Sequence, residues 1–93
     1  MTTRNVTVVN RLGMHARAAA KFVHLATRFQ ASVRVARGAR QMDGKSILGI
    51  LLLAAACGTT VTITADGADE QEAVEALTAL IAAGFGEDAA CGA

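Results

Sequence analysis

Apolar and polar residues alternate along this chain with two periods, one of two residues and one near 3.6, and the period switches at a few turn-forming segments. In residues 4–10, Val6 and Val8 alternate with Asn5 and Thr7 as a half-buried strand requires. After the turn-like Asn10-Arg11-Leu12-Gly13, the apolar groups Ala19, Phe22, Ala26 and Phe29 fall on one face of a helix predicted over residues 16–29. Val33 and Val35 then alternate with Ser32 and Arg34 up to Arg37; Gly38 permits a turn, and residues 40–43 return as a short partner strand. Ser46 precedes the unbroken apolar run 50–57, so a second helix is expected over about 47–55 with Ser46 as its N-cap. Residues 59–65 set Thr60, Thr62 and Thr64 against Val61, Ile63 and Ala65, a strand with one wet face. Asp69 with Glu72 three positions later reads as a capping box, and Ala73, Leu77, Leu80 and Ile81 continue with helical spacing to about Gly84.

The order β-α-β-β-α-β-α, with strands wet on one face, predicts an α+β fold: an open-faced β-sandwich whose four-stranded antiparallel sheet is covered on one face by three helices. A ferredoxin-like domain has almost the same order, so fold alone does not select a function. The domain is expected to span residues 1–84, leaving 85–93, which are small, polar or acidic, as a loosely ordered tail.

Composition narrows the picture. Ninety-three residues suit one domain, and 53% apolar residues with only 3% aromatic imply a core of Ala, Val, Leu and Ile and exclude a disordered chain. The N-terminus has no apolar signal region, and the run 50–57 is too short to span a bilayer, so no membrane insertion and a cytoplasmic location are expected. Cys57 and Cys91 lack metal-ligand spacing and are expected to stay unpaired in a reducing compartment. Net charge is only +1, yet every basic residue lies between Arg4 and Lys45 and every acidic one between Asp43 and Asp88. Such polarity favours encounter with an anionic partner.

The chemistry concentrates at Met14-His15-Ala16-Arg17, where a Gly-bearing turn meets a helix start. The first turn of a helix presents free N–H groups and the positive end of its dipole, so an anion attached to His15 is held there. A neutral imidazole is nucleophilic near neutral pH, and Arg17 offers guanidinium donors to phosphate oxygens. Arg17, Lys21, His24 and Arg28 follow at steps of four, three and four, a basic face that starts at the proposed site. The second helix has too many large apolar groups for one buried stripe, which leaves Ile47, Leu48 and Leu51 as an exposed docking patch. Ser46 is an N-cap by position and also a candidate regulatory site, because phosphorylation there adds negative charge to a surface suited to an acidic partner.

The segment Asn10-Arg11-Leu12-Gly13-Met14-His15-Ala16-Arg17, with Gly44-Lys45-Ser46-Ile47 further on, resembles the HPr family, the histidine-containing phosphocarriers of the phosphoenolpyruvate-dependent phosphotransferase system. The resemblance covers residues 3–83 and includes Leu53-Ala54-Ala55-Ala56 and Asp69-Glu70-Gln71. It implies an HPr-like fold in which Enzyme I phosphorylates Nδ1 of His15, the group passes to IIA proteins, and Arg17 supports the phosphate. It also implies that HPr kinase/phosphorylase modifies Ser46 in members under that control. Partners would dock on Ala16, Arg17, Lys21 and His24 and on the apolar Ile47, Leu48 and Leu51. The implied protein is a monomeric covalent carrier, not an enzyme with its own turnover, and needs no metal or organic cofactor. Many members have proline where this chain has Ala18, and the form His15-Ala16-Arg17-Ala18 is similar to proteobacterial members of the sugar-import and nitrogen-linked branches. A regulatory binding module gated at Ser46 or His15 is the second reading. Nucleic-acid binding ranks third, since the chain has no Tyr or Trp for stacking.

Overall fold

The computed structural model describes residues 1–87. Its elements run β1 (Thr2–Thr7), α1 (Ala16–Ala26), β2 (Ser32–Arg37), β3 (Arg40–Asp43), α2 (Ile47–Leu53), β4 (Thr60–Asp66) and α3 (Glu70–Ala82), followed by a single 3₁₀ turn, Gly84–Gly86. The predicted order and architecture are therefore those observed.

The sheet has the order β1-β4-β2-β3, with every neighbouring pair antiparallel. Register places Val35 opposite Ile63 and Val33 opposite Ala65, so one face of β2 and β4 is wholly apolar. Against that face lie Phe22 of α1, Ile50 and Leu53 of α2, and Leu77 and Ile81 of α3, each fully buried. Each such side chain contributes roughly 1.5–3 kcal/mol through burial. The opposite face is wet, as the Thr alternation requires. There the hydroxyls of Thr3 and Thr64 and those of Thr7 and Thr60 share hydrogen bonds of 3.2 and 3.1 Å, and Thr62 donates to Asn5 Oδ1 at 2.8 Å.

Helix ends depart from the periodicity. α1 stops at Ala26 instead of reaching residue 29, because the chain tightens: Arg28 N–H bonds the Leu25 carbonyl and Phe29 N–H that of Ala26. α2 stops at Leu53 because Ala54 turns left-handed at φ 54°, and Arg40 Nη1 donates to the Leu52 carbonyl at 2.9 Å. The expected Asp69–Glu72 capping box does not form. Asp69 makes no cap bond; its two carboxylate oxygens accept the Gln30 and Ala31 N–H groups at 2.9 and 2.8 Å, tying the α1–β2 loop to the start of α3 and holding the Asp69 carboxyl below its usual range.

Two expectations fail, one after α3 and one in the turn between α2 and β4. Composition predicts a loose tail from residue 85, but Phe85 is only 1% exposed and joins the core, and Glu87 reaches the start of α1; residues 88–93 lie outside the described residues. A buried aromatic ring outweighs the small and polar composition around it. Cys57 is disulfide-bonded, against the expectation of an unpaired thiol, since sequence spacing carries no information about which sulfurs a fold brings together. The other cysteine, Cys91, is outside the described residues.

Candidate functional site

The loop between β1 and α1 is built by Asn10 and Gly13. Asn10 is 1% exposed, and its Nδ2 donates to the Gly13 carbonyl at 2.8 Å, closing the turn. Gly13 sits at φ +66°, and a Cβ there would lie 2.7 Å from the Ala55 carbonyl oxygen, so both the backbone conformation and the close approach to the end of α2 demand glycine. Met14 N–H then donates to Ala55 O at 3.0 Å, and Met14 is buried. These contacts lock the residue that follows.

That residue is His15, the N-cap of α1, with extended backbone at φ −72° and ψ −178°. Its carbonyl accepts the Ala19 N–H at 2.8 Å, and its ring Nδ1 accepts the Arg17 N–H at 3.3 Å. Nδ1 therefore faces the positive end of α1, whose first turn carries no acidic residue. Nε2, on the other side of the ring, lies 2.6 Å from Glu87 Oε2. Glu87 Oε1 accepts from Asn10 Nδ2 at 3.0 Å. The Asn10 amide, and then His15, hold the Glu87 carboxyl below its ordinary range. The His15 side chain is 29% exposed, so the ring is lodged but reachable.

Around it, Leu12, Ala16, Arg17, Lys21, Gly86 and Glu87 line an open hollow. Arg17 thus shares the hollow with His15, as expected. Lys21 does too, but its Nζ donates to the Phe85 carbonyl at 2.7 Å, so it braces the chain end as well as contributing charge. His24, further along α1, and Arg28, just beyond its end, are exposed on a second groove lined also by Arg17, Ala20, Leu25 and Leu80. They extend the basic face without reaching His15's hollow.

Ser46 is the N-cap of α2, its Oγ accepting the Gly49 N–H at 3.1 Å. Ile47, Leu48 and Leu51 are all exposed, Leu48 by 65%, whereas Ile50 and Leu53 carry the helix into the core. Leu52 and Leu12 are exposed as well. Reading the sequence missed Asn10, Leu12 and Glu87 as parts of the site. Asn10 and Leu12 stand inside the recognised motif and could have been taken from it. Glu87 had no signal: only folding of the chain end brings it to His15. Among the described residues no cluster of His, Cys, Asp and Glu could hold a metal ion, and no helix is long and apolar enough to cross a membrane.

An imidazole thus caps a helix at the rim of an open-faced sandwich. Comparison with known proteins gives the family. The model of the PTS HPr component phosphorylation site matches residues 2–83. Phosphocarrier protein HPr of Cupriavidus necator is 54% identical over 87 residues, covering 94% of this chain and 98% of that protein. Phosphocarrier protein NPr of Shewanella violacea is 40% identical over 84 residues, covering 90% and 92%. The crystal structure of HPr-C-His from Thermoanaerobacter tengcongensis, 39% identical, superposes with a TM-score of 0.91 over 95% of this chain and 99% of that one. The chain belongs to the HPr family, the phosphocarriers of the phosphotransferase system.

Proposed function

We propose that His15 accepts a phosphoryl group on Nδ1 from phosphorylated Enzyme I and hands it to a IIA protein. The observation that carries this reading is the placement of Nδ1 at the N-terminus of α1, with the Arg17 N–H 3.3 Å away. In the transfer, the Nδ1 lone pair forms a bond to phosphorus in line with the departing nitrogen of Enzyme I, which keeps the electron pair of the broken bond. Charge on the transferring oxygens meets the helix N–H groups and the Arg17 guanidinium. Donation to IIA is the same step run outward. The chain acts as a covalent relay, since its partners complete each site. Ala16, Arg17, Lys21 and His24 supply a basic docking face, and Ile47, Leu48 and Leu51 an apolar one, for transient partners in the cytoplasm; the working form is a monomer. The Cys57 disulfide is at odds with a reducing compartment.

A second role rests on Ser46. Its hydroxyl caps the helix that presents Ile47, Leu48 and Leu51. Phosphorylation by HPr kinase/phosphorylase would keep an oxygen acceptor at the cap while adding about 1.5–2 negative charges to the docking surface, weakening acidic partners.

Intact mass after incubation with Enzyme I and phosphoenolpyruvate tests the carrier role. One acid-labile phosphoryl group, absent in His15→Ala, is expected; no transfer from an active cognate Enzyme I, or undiminished transfer to His15→Ala, would overturn it.

A further inference from the structure

Among the described residues, the carboxylate of Glu87 is set against the far side of the His15 ring, and the carrier chemistry leaves it without a task. Its placement is determined from three directions. Phe85 is buried and anchors the chain end; Lys21 Nζ holds the Phe85 carbonyl at 2.7 Å; Asn10 Nδ2 donates to Glu87 Oε1 at 3.0 Å. The remaining oxygen, Oε2, lies 2.6 Å from His15 Nε2. An ionised carboxylate only accepts, so Nε2 must carry the proton in this contact. On the other side of the ring Nδ1 accepts the Arg17 N–H, which requires Nδ1 to be bare. Both hydrogen bonds select the same tautomer.

From this geometry we propose that Glu87 is a positioning residue for phosphoryl transfer, holding the proton on Nε2 so that Nδ1 is the nucleophile. The proposal rests on the carrier role of His15. When Nδ1 forms its bond to phosphorus, the ring, still carrying its Nε2 proton, becomes cationic, and the donor nitrogen leaves with the electron pair of the broken bond. Glu87 offsets the new positive charge across a 2.6 Å contact. When the group moves on, the Nδ1–P electron pair returns to Nδ1 and the ring is neutral again, with the proton still on Nε2. No proton leaves or enters in either direction, so transfer is not slowed by a proton-transfer step. Among the described residues, Arg17 and Lys21 are the other charged groups lining this hollow. Both are cations and cannot take the place of the carboxylate.

The test compares wild type, Glu87→Gln and Glu87→Ala, all of which retain Phe85. Ring ¹⁵N chemical shifts of His15 are recorded above its titration range, and single-turnover phosphorylation by phosphorylated Enzyme I is followed in parallel. Wild type is expected to show the Nε2–H tautomer alone; both variants should show a mixture with Nδ1–H and accept the group roughly tenfold more slowly, the loss expected from one charge-assisted hydrogen bond. Backbone amide spectra superimposable away from residues 85–87 would verify that the fold is intact. An unchanged tautomer in both variants, or an unchanged rate in both, refutes the positioning role while leaving the carrier role standing. Wild type that accepts no phosphoryl group removes the carrier role itself.

Discussion

Replacing Phe85 by alanine isolates what the chain end contributes to the fold. The ring is 1% exposed and packs in the same core cluster as Val8, Leu77 and Ile81. Removing a buried Phe ring costs about 3–5 kcal/mol, from lost transfer energy together with the cavity left behind. Phe85 has a positive φ of 58°, but alanine at that site bears a similar penalty, so backbone strain largely cancels in the comparison. If the segment detaches instead of leaving a cavity, the burial is lost all the same, along with the Lys21–Phe85 and Glu87–His15 contacts. A domain of this length is stable by only about 5–14 kcal/mol, so the loss is a large share of the total. At about 4–8 °C per kcal/mol, the melting temperature should fall by about 12 °C or more. Thermal and urea unfolding of both proteins, with coincident transitions by two probes, provide the measurement. A fall of less than about 3 °C would show that the ring is not part of the cooperative core and that residues 85–87 are the loose tail their composition suggested.

Two other perturbations separate local contacts. Ser46→Ala should cost about 1 kcal/mol by removing the Oγ bond to Gly49 N–H, whereas Ser46→Asp, another good cap, should cost little; equal urea midpoints for all three proteins would contradict the cap. Glu70 is held at about 2, against an ordinary value of 4.5, chiefly by the hydrogen bond to the N-terminal ammonium and next by that from the Thr2 hydroxyl. Because the folded value is the lower one, the stabilisation is complete above pH 4.5 and fades as pH falls towards about 2. Glu70→Gln should flatten that acid limb of stability against pH, and an unchanged slope would exclude the pairing.

Elements with a strong period were legible, and so was the part of the site that lies within them. β2 and β3 have their predicted bounds because Gly38 and the Val33/Val35 alternation leave no other register. The surplus of leucines in α2 forecast its exposed face, since a seven-residue helix buries only Ile50 and Leu53. What failed depended on contacts remote in sequence. Asp69 had the spacing of a capping box, yet the unpaired N–H groups of Gln30 and Ala31 compete for the same carboxylate and win it with two bonds. Phe85 looked like a lone apolar residue among glycines, and nothing local reveals that Lys21 and Asn10 receive the segment that contains it. Ala18 asks little of the helix for a local reason. It lies in the first turn of α1, where N–H groups lack intrahelical partners whichever residue is present.

The two helix starts show why one cap is fit for exchange and the other for support. Ser46 Oγ satisfies Gly49 N–H at 3.1 Å with a compact oxygen, and the cap is complete. His15 caps α1 with a ring nitrogen at 3.3 Å, a long bond from a residue type that is not a preferred N-cap. The start of α1 is therefore under-satisfied at rest. A phosphoryl group on Nδ1 would bring anionic oxygens to the same N–H groups, and such bonds are shorter and stronger than the one they replace. Under the proposed carrier role, phosphorylation would complete a cap that the resting imidazole leaves weak, stabilising the loaded state for transit between partners. The histidine side chain stays 29% exposed, so the resting ring is open to solvent. On that proposal, a serine at position 15 would close the cap and abolish transfer, so a poor cap is what the carrier role requires.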